Sequence, residues 1–288
     1  MDQKTAVVTG AARGIGLATA DLFLEMGWRV VMVDRDAEAL EAEAGQRQSV
    51  RAVACDVSDP DAVAAMAEAA AGWAGRIDAL VNNAGILRDR IWHKMSHEDW
   101  QAVIDVHLHG CFNTSKAATP YFKEQGSGAL VHFTSTSGLI GNIGQANYSA
   151  AKLGIVGLSQ SIALDASRYG VRSNCIAPFA WSRMTASIPT SGEGAEERVK
   201  RLQSMGAEKI APLAAYLCSD AAQAVTNQIF AVRRNEIVLF SKPRPVRSFA
   251  KDGGWTPQEI ADIAMPAFEP DFARGDEVSA HVFPYDPI

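Results

Sequence analysis

The chain has little that would tie it to a metal, a membrane or a nucleic acid. Only four cysteines occur in 288 residues, Cys55, Cys111, Cys175 and Cys218, and they are widely scattered. That spacing makes neither a metal site nor a disulfide framework. Reduced thiols with packing roles, in a cytoplasmic setting, are the expectation. No apolar run approaches the ~20 residues that a membrane-crossing helix needs. A net charge of −6 leaves no electrostatic case for nucleic acid or an anionic membrane. A strand pattern begins almost at once, so no signal peptide is expected. What remains is enough chain for one large α/β domain with a sizeable core.

Strand and helix patterns alternate along the chain without a repeat. Thr5–Thr9, Arg29–Val33, Val50–Cys55, Ile77–Val81, Ala129–Phe133 and Val171–Ile176 read as strands. Helical patterns cover Leu17–Met26, Pro60–Trp73, a long region over 97–123 broken near Gly110, and Tyr148 to about Tyr169. Such alternation predicts a parallel sheet with right-handed crossovers, wound on both faces. Ligands then belong at the carboxyl ends of the strands.

The first of those ends carries Gly10-Ala11-Ala12-Arg13-Gly14-Ile15-Gly16. Strand, glycine turn, helix, strand and then an acid, Asp34, is the order of a mononucleotide-binding unit. Glycines let the backbone approach a pyrophosphate, and the helix N-terminus offers it free N–H groups. A carboxylate at Asp34 accepts hydrogen bonds from a ribose 2′-hydroxyl and repels a 2′-phosphate, which favours NAD over NADP. Arg13 and Arg35 stand nearby and could instead hold a 2′-phosphate. Asp34 could also be a plain turn residue.

Tyr148 and Lys152 lie four residues apart in Asn147-Tyr148-Ser149-Ala150-Ala151-Lys152, so they share one helix face. A nearby ammonium is expected to lower a phenol's pKa from its usual value near 10. Ser135, thirteen residues before Tyr148, can bond the same substrate oxygen. The trio can move a proton on or off an alcohol while hydride moves on carbon. Tyr-x-x-x-Lys also arises by chance in helices, and its weight comes from the dinucleotide unit in the same chain.

The Gly-x-x-x-Gly-x-Gly spacing, Asn82-Asn83-Ala84-Gly85, Ser135, Tyr148 and Lys152 together resemble the short-chain dehydrogenase/reductase family, over about residues 4 to 235. The resemblance implies a single Rossmann domain with a seven-stranded parallel sheet. It implies Tyr148 as general acid/base, Lys152 as its electrostatic partner and ribose ligand, and Ser135 as substrate positioner. Asp56 and Val57 match a pair that contacts adenine; Asn83, Ala84 and Gly85 match the turn beside the cofactor. His107 stands where the family has an asparagine that holds a water. A histidine there could relay protons, titrating near neutrality, or simply fill the helix; His109 reads as a plain helix residue. Beyond Pro178, Phe179 replaces a glycine and Arg183 replaces a threonine that binds the nicotinamide amide, so Ser182 or Thr185 is expected to take that contact.

These departures are similar to the dehydrogenase unit of peroxisomal multifunctional enzyme type 2 and bacterial relatives. They imply oxidation of a (3R)-hydroxyacyl-CoA. The sequence ends before a hydratase or sterol-carrier segment, so any such activity is expected from another protein. Dehydrogenation of steroids or other hydrophobic alcohols without CoA is the alternative, and a non-catalytic dinucleotide-binding scaffold is a remote one. A homodimer or homotetramer built on helix faces is implied. Residues 181–206 read as a substrate lid or as an ordinary loop.

A domain over 1–240 is expected to carry an extension over 241–288 that packs on it or on a neighbouring subunit. In the extension Thr256 is a fair N-cap with Pro257 in the first turn. Trp255, Phe268, Phe272, Phe283 and Tyr285 are apolar anchors unusual for disorder. The extension could narrow an active-site mouth, or its Lys242, Arg244 and Arg247 could meet CoA phosphates.

Overall fold

A computed structural model of the protein describes residues 3–180 and 205–283. Ser182, Arg183 and Thr185, nearly all of the expected lid and Tyr285 lie outside the described residues. Among those described, eight strands form one sheet in the order β3-β2-β1-β4-β5-β6-β7-β8. They are β1 (Thr5–Thr9), β2 (Arg29–Asp34), β3 (Val50–Ala54), β4 (Ala79–Asn82), β5 (Gly128–Phe133), β6 (Val171–Phe179), β7 (Ile229–Arg233) and β8 (Glu236–Phe240). The first seven pair in parallel and β8 returns antiparallel along β7. The sheet is therefore one strand larger than the family pattern implies. A hairpin adds that strand, with Arg234 at φ 57° in the tight connection.

The doubly wound reading holds. The chain runs outward from β1 to β3 and then crosses back to β4, so the order reverses between β1 and β4. That switch point leaves a crevice at the strand carboxyl ends. Helices cover both faces, and the shorter α2 (Ala37–Ala44) and α6 (Thr136–Leu139) follow β2 and β5. On one, α1 (Gly14–Glu25) and the helix Ala211–Cys218 bury Phe23, Leu213 and Leu217 against Val8, Val30 and Ile176. On the other, α3 (Pro60–Ala74) and α5 (Gly110–Gln125) bury Met66 and Phe122 against Val7 and Leu130. There too α7 (Ala146–Asp165) packs Ile155 and Val156 against Cys175 and Ile229. The strands run apolar on both faces because both are covered.

Local chemistry explains the helix ends. The Asp59 carboxylate caps α3, accepting from Asp61 N and Ala62 N, with Pro60 next and Gly75 left-handed at the far end. The region 97–125 is not broken at Gly110. It runs on through a π-helical turn at Asp105–His109 between α4 (His97–Ile104) and α5, and such turns often mark functional sites.

The extension makes its own helical run, Pro257–Glu259 continued by Ile260–Ala264 and Met265–Phe268, behind a capping box of Thr256 and Glu259. Arg247 is tied within it, donating to Ala267 O at 2.8 Å and pairing with Asp271 at 2.9 Å. That engagement weighs against a role for Arg247 on CoA phosphates. Further on, Phe283 returns to the end of β6, its ring 5.1 Å from that of Phe179.

Phe122 is fully buried where α5 meets β5. Replacing it with alanine is expected to cost about 3–5 kcal/mol, read as the shift in a denaturant unfolding curve.

Candidate active site

The site has two halves that meet at the switch point. The first is a cleft lined by Gly10, Asp34, Asp56, Val57, Ala84 and Gly85, with Arg35, Cys55, Ile86 and Val106 beside them. Glycine is required at its floor. Gly10 has φ 67°, and a methyl group there would lie 2.8 Å from Asn83 Nδ2. A methyl group on Gly16 would lie 2.1 Å from Gly10 O. Gly14 also has positive φ, 57°, with open space where a side chain would project. No side chain caps α1 at Arg13, so the first-turn N–H groups, at Gly14, Ile15 and Gly16, face the space above the glycine turn. This cradle fits a dinucleotide pyrophosphate.

One hydroxyl absent from the sequence reading organises the crevice. Thr9, the last residue of β1, donates to Val81 O at 3.3 Å and accepts from Asn83 N at 3.0 Å and Ala84 N at 3.1 Å. Asn83 Nδ2 answers by donating to Thr9 O at 3.0 Å and Gly10 O at 3.2 Å. A threonine at a strand end looks like any β-branched residue in a sequence, which is why it gives no signal.

Asp34 lines the cleft and accepts from Ala12 N at 3.2 Å and Asp36 N at 3.1 Å. Arg13 does not point a free guanidinium at this place; it is ion-paired with Asp36. Asp56 accepts from Ser58 Oγ at 2.6 Å and Ser58 N at 2.9 Å, and these bonds hold its carboxyl below the usual range. Asn113 donates to Val57 O at 3.1 Å and fixes that turn.

The second half stands at the ends of β5 and β6. Ser135 caps the short helix Thr136–Leu139, accepting from Ser137 N at 3.1 Å, and its hydroxyl acts on the Tyr148 phenol, lowering its pKa. Lys152 is buried, with Nζ 5.5 Å from the Tyr148 ring centroid and donating to Phe133 O at 2.6 Å. Pro178 lies next to the end of β6, paired with Val232. Asn147 fixes the start of α7, donating to Arg88 O and Asp99 O at 3.0 and 3.1 Å. Gln145 bonds Asp89 and Ser137 at 2.7 and 2.8 Å. Neither amide had a motif to reveal it.

Two expectations about protons are corrected. Burial pushes the Tyr148 phenol up to about 12; the Ser135 hydroxyl opposes this and the Asp89 charge adds to it. Lysine proximity therefore does not make the phenol acidic, because desolvation of the phenol itself is the larger effect; burial also lowers the Lys152 ammonium to about 8. His107 does not titrate near neutrality either. It is 1% exposed; burial, then the Lys152 charge, hold its pKa well below 6.5. Its Nε2 lies 2.8 Å from Ile86 O and 3.1 Å from Ile86 N, and its ring meets Tyr148 edge-on at 5.2 Å. His109 sits on the exposed side, paired with Asp105 at 2.9 Å.

Similarity to known proteins gives the family. Residues 4–191 match the family described as short chain dehydrogenase. The chain belongs to the short-chain dehydrogenase family. Among its relatives, a hydroxyacyl-CoA dehydrogenase of Mycobacterium tuberculosis is 38% identical over 277 residues, covering 89% of this chain and 86% of the relative. The peroxisomal multifunctional enzyme type 2 of Drosophila melanogaster is 41% identical over 232 residues, 77% of this chain but 38% of that longer protein. The crystal structure of a short chain dehydrogenase from Mycobacterium avium superposes with a TM-score of 0.83 at 32% identity, over 96% of this chain and 98% of that one. This short-chain dehydrogenase is thus an oxidoreductase by family. Among its described residues no helix is long and apolar enough to cross a membrane, and no cluster suits a metal ion.

His132, buried beside Asn82, has its pKa lowered by burial to about 4, and His107 is shifted the same way. The unfolded chain takes up these protons below about pH 6.5 while the fold refuses them. Stability is therefore expected to fall as pH drops from about 6.5 toward 4. In His132→Asn, urea unfolding across that range should show a shallower decline.

Proposed function

We propose that the protein moves a hydride between NAD and a secondary alcohol or ketone, most specifically oxidising a 3-hydroxyacyl-CoA. The observation that carries this reading is convergence: the Tyr148 phenol, the Ser135 hydroxyl and the Lys152 ammonium meet at the strand ends beside the glycine-floored cleft. When bound, the dinucleotide supplies the hydride acceptor, or in the reverse direction the donor. Tyr148 takes the hydroxyl proton as the carbonyl forms and returns it in reduction. Ser135 bonds the substrate oxygen. Lys152 places its positive charge behind the phenol. His107, neutral and packed on the Tyr148 ring, is a positioning residue for that phenol and for the turn at Ile86. Gly10 and the N–H groups of Gly14, Ile15 and Gly16 hold phosphate, Asp34 the ribose, Asp56 and Val57 the adenine; Asn83, Ala84, Gly85 and Pro178 flank the nicotinamide half.

The substrate class is supported by the names of the mycobacterial and fly relatives. A steroid or other hydrophobic alcohol without CoA is the second reading, favoured by the aromatic Phe179 at the strand end in place of glycine. A homo-oligomer is supported by apolar side chains exposed on helix faces, Phe112 of α5 and Leu153 and Leu164 of α7. The cytoplasm suits four free, buried cysteines, whose thiols burial pushes up to between about 11 and about 12.

Turnover of a 3-hydroxyacyl-CoA should exceed that of a steroid alcohol, and Tyr148→Phe should lower it about 10²–10⁴-fold. Undiminished turnover in that variant removes the mechanism. Because the phenolate is the base, alcohol oxidation should accelerate with rising pH and ketone reduction slow, seen in kcat/KM measured in both directions. NAD should be preferred to NADP at least about tenfold, a difference of about 1.4 kcal/mol, and Asp34→Ala should narrow the ratio. An unchanged ratio would place the discrimination elsewhere.

A further inference from the structure

A residue of the C-terminal extension closes an aromatic patch at the end of β6. Side chains alternate between the faces of β6. Cys175 packs with Ile155 of α7, and Ile176 packs on the opposite face with Leu213 and Leu217. Phe179 therefore faces the α7 side. Register places Arg233 of β7 beside Phe179 and Glu236 of β8 beside Arg233, so these face the same way. Phe240 packs on that face as well, against the cluster of Ile155 and Ile229.

Phe283 covers this patch. It follows the one-turn helix Ser279–Val282. Its ring centroid lies 5.1 Å from that of Phe179, edge to face at 75°, and 6.4 Å from that of Phe240. The Arg233 guanidinium, paired with Glu236 at 3.3 Å, lies 5.6 Å from the Phe283 ring centroid. Both residues are buried, Phe283 at 9% exposure and Arg233 at 7%. A paired guanidinium over the ring fixes the phenylalanine in place.

The height of this patch along the sheet matters. Phe133 of β5 pairs with Ile176, and Thr134 N donates to Ile176 O at 2.8 Å. Ser135 thus ends its strand level with Pro178, one residue short of Phe179. The aromatic patch lies at the same carboxyl edge of the sheet as Ser135, and on the face that α7, the helix carrying Tyr148, covers.

We propose that Phe283 is a specificity-determining residue: with Phe179 and Phe240 it forms the far apolar wall of the substrate cleft. The body of the substrate, an acyl chain or a ring system, lies against this wall when its alcohol reaches Ser135 and Tyr148. Three aromatic rings offer a large apolar surface and disfavour a charged group. The inference rests on the dehydrogenase reading and assigns to it the residues that select the apolar part of the substrate.

The test compares a short-chain with a long-chain 3-hydroxyacyl-CoA in the full-length protein. Phe283→Ala should lower kcat/KM for the long chain about tenfold or more. The short chain and the KM for NAD should change less than about twofold. Phe283→Leu, which retains most of the apolar surface and guards against a folding failure in the alanine variant, should recover most of the long-chain value. An equal fall for both substrates, or a lower melting temperature with selectivity intact, overturns the proposal and leaves Phe283 a structural cover. A wild-type protein inactive on every alcohol tried removes the dehydrogenase reading, and this inference with it. An active wild type whose selectivity ignores Phe283 removes this inference alone.

Discussion

A buried ammonium bonded to a main-chain carbonyl sets the geometry of the reacting groups. Lys152 Nζ donates to Phe133 O at 2.6 Å, and Thr134 Oγ1 returns a bond to Lys152 O at 2.7 Å. These two contacts clamp the first half of α7 to the end of β5. The next residue of that strand end is Ser135, and four residues before Lys152 is Tyr148. Gly138 tightens the same joint: a methyl group there would lie 2.7 Å from Leu153 N. Serine and tyrosine therefore hold their relation through a helix and a strand rather than through a loop, the arrangement that catalytic precision requires.

The nucleotide half is fixed by a different device. Its carriers are the ends of β1 and β4, adjacent parallel strands from the two sides of the switch point. Thr9 and Asn83 exchange hydrogen bonds across that gap, so the glycine turn and the turn at Ala84–Gly85 move as one unit. His107 links this unit to the other half. It holds Ile86 on one side and Tyr148 on the other, and Gly85 must be small because a methyl group there would lie 2.3 Å from the His107 ring. The π-helical turn supplies this contact by adding a residue where α4 becomes α5.

Much of this was legible in the sequence, for identifiable reasons. Strands buried on both faces read as unbroken apolar runs, and the glycines marked the turn because Gly10 and Gly16 have no room for a side chain and Gly10 and Gly14 take a positive φ. Tyr148 and Lys152 were visible because one helical turn relates them. The eighth strand was not: Glu236–Phe240 alternates exposed and half-buried, as an edge strand does, and lies outside the family pattern. The π turn has no periodic signature short enough to detect. Thr9, Gln145 and Asn147 act through single hydrogen bonds to groups distant in sequence, which no local pattern encodes. Proton affinities were misjudged because spacing reports proximity to charge and says nothing of desolvation.

That last error bears on how the site works. Removing Tyr148 and Lys152 from water drives their proton affinities apart, the phenol up to about 12 and the amine down to about 8. Each group alone is held toward its neutral form. The lysine bonds a carbonyl rather than a carboxylate, so no ion pair cancels its field. In surroundings of low polarity that field reaches further than it would in water. The phenol is thus left sensitive to any positive charge brought into the adjoining cleft. Burial within the protein keeps the phenol in its neutral form.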